Sequence, residues 1–174
     1  MNAEQLKQIQ APLKTDYQEH PDHAIAELRA QGSVDFENLC CRVILQPNDG
    51  THLVAGLHPK AGGNGSHACS GDMLLQALVT CAGVTLAAVT TAMGLNVSSA
   101  DLTATGELDF RGTLGVDKSV PVGFRSIQLS FELKSEEPPE KLSKLVQLAE
   151  RYCVVLQTMN QSGGNLISTA WHVG

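Results

Sequence analysis

Residues 73–95 read MLLQALVTCAGVTLAAVTTAMGL, with no formal charge anywhere in the stretch. Its length raises the question of a membrane span. Against that reading stand Gln76, four threonines (Thr80, Thr85, Thr90, Thr91) and many apolar positions that are only alanine. A helix apolar nearly all round, set among ordinary strands and helices, reads as a central helix buried on most sides. The expected helix runs from about Gly71 to Met93. Ser70 is a good N-cap, Asp72 places a carboxylate in the first turn, and Gly94 follows as the C-terminal stop. Cys81 lies in the middle of this helix.

On the N-terminal side, PKAGGNGSHACSGD (59–72) is a glycine-rich loop without periodicity. Before it, SVDFENLCCRVILQPNDGTHLVAGLH (33–58) reads as two or three strands, with Asn48-Asp49-Gly50 as a tight turn. Residues 1–32 read as a polar helical arm, broken at Pro21 and followed by a short helix up to Gly32. On the C-terminal side, ADLTATGELDFRG (100–112) reads as strand. In RSIQLSFELKS (125–135), Ile127, Leu129, Phe131 and Leu133 alternate as in a half-buried strand. Pro138-Pro139 opens a helix. Its apolar stripe is Leu142, Leu145, Ala149, Cys153 and Leu156. NLISTAWHV (165–173) is the expected last strand. Hairpin, long helix, antiparallel strands, helix and strand together give an α+β fold, without the alternation of a doubly wound sheet.

With 174 residues the chain suits one compact domain. The net charge of -6, scattered basic residues and 4% aromatic content argue against nucleic-acid binding. The first residues lack a positive region leading into an apolar run, so no secretory leader is expected. Five cysteines without a CxxC suit a reducing cytoplasm. His67 and Cys69 resemble a metal pair, but no third and fourth ligand is evident, and no metal is expected. The loop GGNGSHACSG lacks the lysine of a phosphate-binding loop.

Cys81 and Cys153 could meet if their helices cross in one core, as disulfide geometry requires. The plainer reading is that both are packed, inert thiols. Asp72 has a plain reading as a helix-capping carboxylate. It lies about 13 Å along the helix from Cys81 and nearly on the opposite side, so it could act on that thiol only through an intermediary or across a subunit interface. Cys40 and Cys41, adjacent in a strand, point to opposite faces. Cys69 stands in the loop, where it could be accessible.

The motifs SGDMLLQALVTCAGVTL (70–86) and LAERYCVVLQTM (148–159), in that order, resemble the OsmC/Ohr family of osmotically inducible and organic-hydroperoxide-resistance proteins, in its OsmC-like branch. TGELDFRGTLGV (105–116) and PVGFRSIQLSFEL (121–133) are similar to the family's central β region. The likeness covers residues 33–174. It implies two long central helices against antiparallel sheets in an intertwined homodimer, with active sites at the interface. It implies Cys81 as the thiol that attacks an organic hydroperoxide and Cys153 as the resolving thiol. Asp72 stands where the family commonly has glutamate. The resemblance also implies an arginine that holds the reactive Cys81 thiolate and is steered by that acid; Arg42 and Arg29 are the candidates, with Arg42 preferred. No bound cofactor is implied; the reductant would be an external dithiol, such as a protein-bound lipoyl group. Two alternatives remain: a non-catalytic binding protein that keeps the fold and its buried pocket, and acyl-transfer or hydrolytic chemistry by Cys81, for which no histidine partner is recognisable.

Overall fold

A computed structural model describes residues 1–45, 50–161 and 167–173. The chain falls into two compact units. The first comprises residues 1–26, 77–106 and 126–174, and the second residues 27–76 and 107–125.

In the first unit, α1 (Ala3–Glu19) starts at a capping box in which Asn2 and Gln5 exchange side-chain and backbone hydrogen bonds. A short 3-10 turn, Pro21–Ala24, follows it. The helix expected to continue to Gly32 does not form. Its would-be apolar anchors, Ile25 and Leu28, are exposed, and so short a helix needs a packed face to persist. The long apolar stretch becomes α2 (Ser70–Met93), of which residues 77–93 belong to this unit. It ends in a Schellman motif: Leu95 N–H donates to the Thr90 carbonyl and Gly94 N–H to the Thr91 carbonyl, 3.1 Å each, with Gly94 at φ +63°.

β4 (Val97–Leu108) and β5 (Phe124–Ser135) are neighbours in a three-stranded sheet completed by β6 (Ile167–Val173). Ser98 Oγ donates to the Lys134 carbonyl, so the start of β4 lies against the end of β5. The alternation expected in β5 is present: Ile127, Leu129, Phe131 and Leu133 are all buried. β6 departs from an all-antiparallel sheet by pairing with β5 in parallel, Leu129 opposite Thr169. α4 (Pro139–Tyr152) buries Leu142, Leu145, Val146 and Ala149, while α2 buries Leu78, Ala82 and Leu86 at i, i+4 spacing. With the inward residues of β5 these make the core of the unit, helices packed against a sheet.

The second unit is built on an antiparallel sheet of β1 (Gly32–Asp35), β2 (Cys40–Ile44) and β3 (His52–Ala55). Asn48 and Asp49 of the expected turn lie outside the described residues. Within GELDFRG, strand gives way to a helical turn, α3 (Phe110–Thr113), because Asp109 caps it with a side-chain bond to Arg111 N–H.

α2 departs from the sequence reading in its burial. It is the one helix among the described residues long and apolar enough to cross a membrane, yet its buried residues in the single chain are confined to one stripe. Ala77, Thr80, Val84, Ala87 and Ala88 face outward, Val84 with 73% of its surface exposed.

Candidate functional site

The second helix is not continuous. α4 stops at Tyr152, Cys153 adopts an extended backbone (φ −75°, ψ 105°), and α5 (Val154–Gln161) begins directly after it. Cys153 is therefore not a mid-helix residue, as its place in the apolar stripe suggests. It closes one helix and opens the next. Its carbonyl accepts from Gln157 N–H at 2.9 Å, the first intrahelical bond of α5, so Cys153 occupies the N-cap position. The Glu150 carbonyl accepts both the Cys153 N–H at 3.4 Å and Gln157 Nε2 at 2.9 Å, which ties the break together.

An N-cap side chain faces the first free N–H groups of its helix. The Cys153 sulfur, fully buried, accordingly meets the N–H groups of Leu156 and Val155. The half-buried Cys81 of α2 reaches the same place, beside Cys153 and the N–H groups of Val155 and Val154, which favour its thiolate. Both thiols are free and within hydrogen-bonding reach of each other, in the first unit.

The shared site polarises the pair. Burial pushes the Cys81 thiol up, but hydrogen bonds from Val155 N–H, Cys153, Val154 N–H and Thr85 together outweigh it, and the result lies below the ordinary 9.0. This is the effect of a helix N-terminus on a thiolate: donors without helical partners and the positive end of the dipole. Burial pushes Cys153 up to about 11; the Leu156 and Val155 N–H groups oppose this, while the neighbouring Cys81 adds to it. The two sulfurs thus differ: the Cys81 thiolate is favoured, while Cys153 holds its proton. The sequence reading named both cysteines and sought an arginine to activate Cys81. It missed the backbone donors, because no glycine or proline marks the break before Val154.

Asp72 and Arg42 belong to the second unit. One Asp72 oxygen accepts from Cys69 N–H at 3.1 Å, and the Cys69 carbonyl accepts from Met73 N–H. Cys69, rather than Ser70, is thus the N-cap of α2, and Asp72, three residues on, reaches back to its N–H, which is one half of a capping box. Arg42 on β2 is about half exposed, with Asp35 at 4.0 Å. It lines a cleft of about 290 Å³ together with Asn38, Cys40, Asn64, Ser66 and His67. Arg29 donates to Gln31 at 3.4 Å. Cys40 is buried and Cys41 half-buried, as adjacent strand residues require. Cys69 is half-buried.

Two helices, one long and apolar and one broken at a cysteine, packed against a mixed sheet with a paired thiol site, define an α+β protein with a candidate dithiol centre. The OsmC-like protein family model matches residues 63–166, and the chain belongs to that family. No curated protein matches the sequence. The fold is similar to solved structures across most of both chains. An OsmC-like protein from Mycoplasma pneumoniae is 15% identical, with 86% of this chain and 96% of that one covered at a TM-score of 0.67. The organic hydroperoxide resistance protein OsmC of Legionella pneumophila is 14% identical (87% and 98% covered, TM-score 0.60). The organic hydroperoxide resistance protein OhrB of Bacillus subtilis is 16% identical (86% and 100% covered, TM-score 0.57).

Proposed function

We propose that this chain is a two-cysteine peroxidase that reduces organic hydroperoxides. The observation that carries the proposal is the polarised pair: Cys81 lowered by the α5 N–H groups, Cys153 raised to about 11 beside it. Membership of the OsmC-like family and the likeness in fold to organic hydroperoxide resistance proteins support a redox role.

In the proposed reaction the Cys81 thiolate attacks the terminal oxygen of a hydroperoxide. The O–O bond breaks, the alkoxide takes a proton and leaves as alcohol, and Cys81 becomes a sulfenic acid. The Cys153 thiol condenses with it, forming the S–S bond and releasing water. An external dithiol, such as a protein-bound lipoyl group, returns both thiols by exchange and becomes a disulfide itself. The apolar residues flanking Cys81 favour an alkyl hydroperoxide over hydrogen peroxide. Arg42 enters as the guanidinium for the developing oxygen charge and Asp72 as the acid that steers it, in a homodimer that covers the outward stripe of α2. Free thiols suit a reducing cytoplasm.

The test is titration of the reduced protein with cumene hydroperoxide. Loss of two thiols per chain, a linked peptide joining Cys81 to Cys153, and abolition of both by Cys81→Ser are expected. Unchanged thiols under excess peroxide would leave a non-catalytic binding protein as the better reading.

A further inference from the structure

The N-terminal arm gathers two imidazoles and a carboxylate outside the thiol pair. Asp16 and His20 stand one helical turn apart at the end of α1, on one face. Pro21 ends the helix and starts the 3-10 turn, which folds His23 back over the same face. The His20 and His23 rings stack with centroids 4.9 Å apart and planes 20° from parallel. Nδ1 of each lies 3.2 Å from Asp16 Oδ1, and His23 Nδ1 also lies 3.2 Å from Oδ2. One donor atom from each side chain falls within 4.8 Å of the others.

We propose that Asp16, His20 and His23 form a binding site for one divalent transition-metal ion. A tetrahedral zinc with bonds of about 2.0–2.1 Å holds its ligand atoms about 3.4 Å apart, and both imidazole-to-carboxylate separations are near that spacing. In the metal-free arrangement an ionised Asp16 can only accept, so each Nδ1 carries the proton directed at it. A metal ion takes the place of those two protons and bonds to the same three atoms. The histidine side chains are about half exposed, which leaves room for small ring rotations and for water at the remaining coordination position. Two imidazoles and a carboxylate suit Zn2+, Ni2+ or Cu2+ over Mg2+ or Ca2+. The sequence reading weighed a metal only at His67 and Cys69; the pattern behind the present proposal is D-x3-H-x2-H across a proline.

The site contains no cysteine, and its test does not depend on peroxidase activity. The reduced full-length chain is titrated with Co2+ and Zn2+. One ion per chain is expected at micromolar protein, with cobalt d–d bands that carry no thiolate charge transfer. In NMR spectra the His20 and His23 ring signals should shift together on adding Zn2+. His20→Ala and His23→Ala should each weaken this binding about 10–100-fold or more, with unchanged far-UV circular dichroism. Binding that persists in both variants, that shows thiolate charge transfer, or that leaves both ring signals unmoved overturns the proposal and leaves a hydrogen-bonded helix corner.

Discussion

At the residue scale, the site depends on what surrounds two sulfurs. The Val154 N–H is the first of α5 and has no helical partner, so it is free to serve Cys81. Proline suits a first helical position, and the extended Cys153 backbone suits a residue before proline. Val154→Pro should therefore remove one thiolate donor with little loss of stability. The expected result is that Cys81 alkylation by iodoacetamide, read peptide by peptide, shifts to higher pH. Arg42→Met should behave differently. The groups that lower Cys81 are backbone N–H groups, the Cys153 thiol and the Thr85 hydroxyl, all of its own unit, so this variant should keep the alkylation profile and lose hydroperoxide reactivity alone. Full peroxide reactivity in Arg42→Met would remove the arginine from the mechanism. Cys153 also links stability to pH. An unfolded chain releases this proton near 9.0, while the folded one holds it to about 11. Between those values the folded state binds more protons, so stability falls as pH rises. Urea midpoints measured from pH 8 to 11 should show that loss, and Cys153→Ala should blunt it.

At the scale of the elements, helix ends decide more than helix interiors. α2 starts on the Asp72 reach-back and stops at Gly94, whose positive φ costs an L-residue about 1–2 kcal/mol. A Cβ at Gly94 would meet nothing within 4 Å, so Gly94→Ala should destabilise through the backbone alone. A loss of about 1 kcal/mol in chemical denaturation is expected, with activity retained at low denaturant. No change would mean that the turn relaxes at no cost. The break at Cys153 is the corresponding event in the second helix, and it supplies the backbone donors of the thiol site.

At the scale of the molecule, the outward stripe of α2 is the unfinished surface. Five small or apolar residues at helical spacing stay exposed in a single chain, and Val84 is the most exposed of them among large side chains. If a second copy covers the stripe, Val84→Lys should convert a dimer into a folded monomer. Light scattering at micromolar concentration reads the mass, and circular dichroism reads the fold. A wild-type chain that is already monomeric would instead call for another explanation of this surface.

Much of the fold is legible in the sequence, because burial periodicity is local. Ile127, Leu129, Phe131 and Leu133 mark an inward strand face, and Leu142, Leu145 and Ala149 an inward helix stripe, in any window that contains them. The chain likewise displays Cys81 and Cys153 as candidates, and Gly94 as a stop. It does not display which partners those sulfurs meet. The parallel pairing of β6, the confinement of α2 burial to one stripe and the helix break at Cys153 depend on contacts between residues far apart in sequence. The break matters most: backbone N–H groups are the same at every residue, so only the folded chain decides which of them lack a helical partner and point at a thiol.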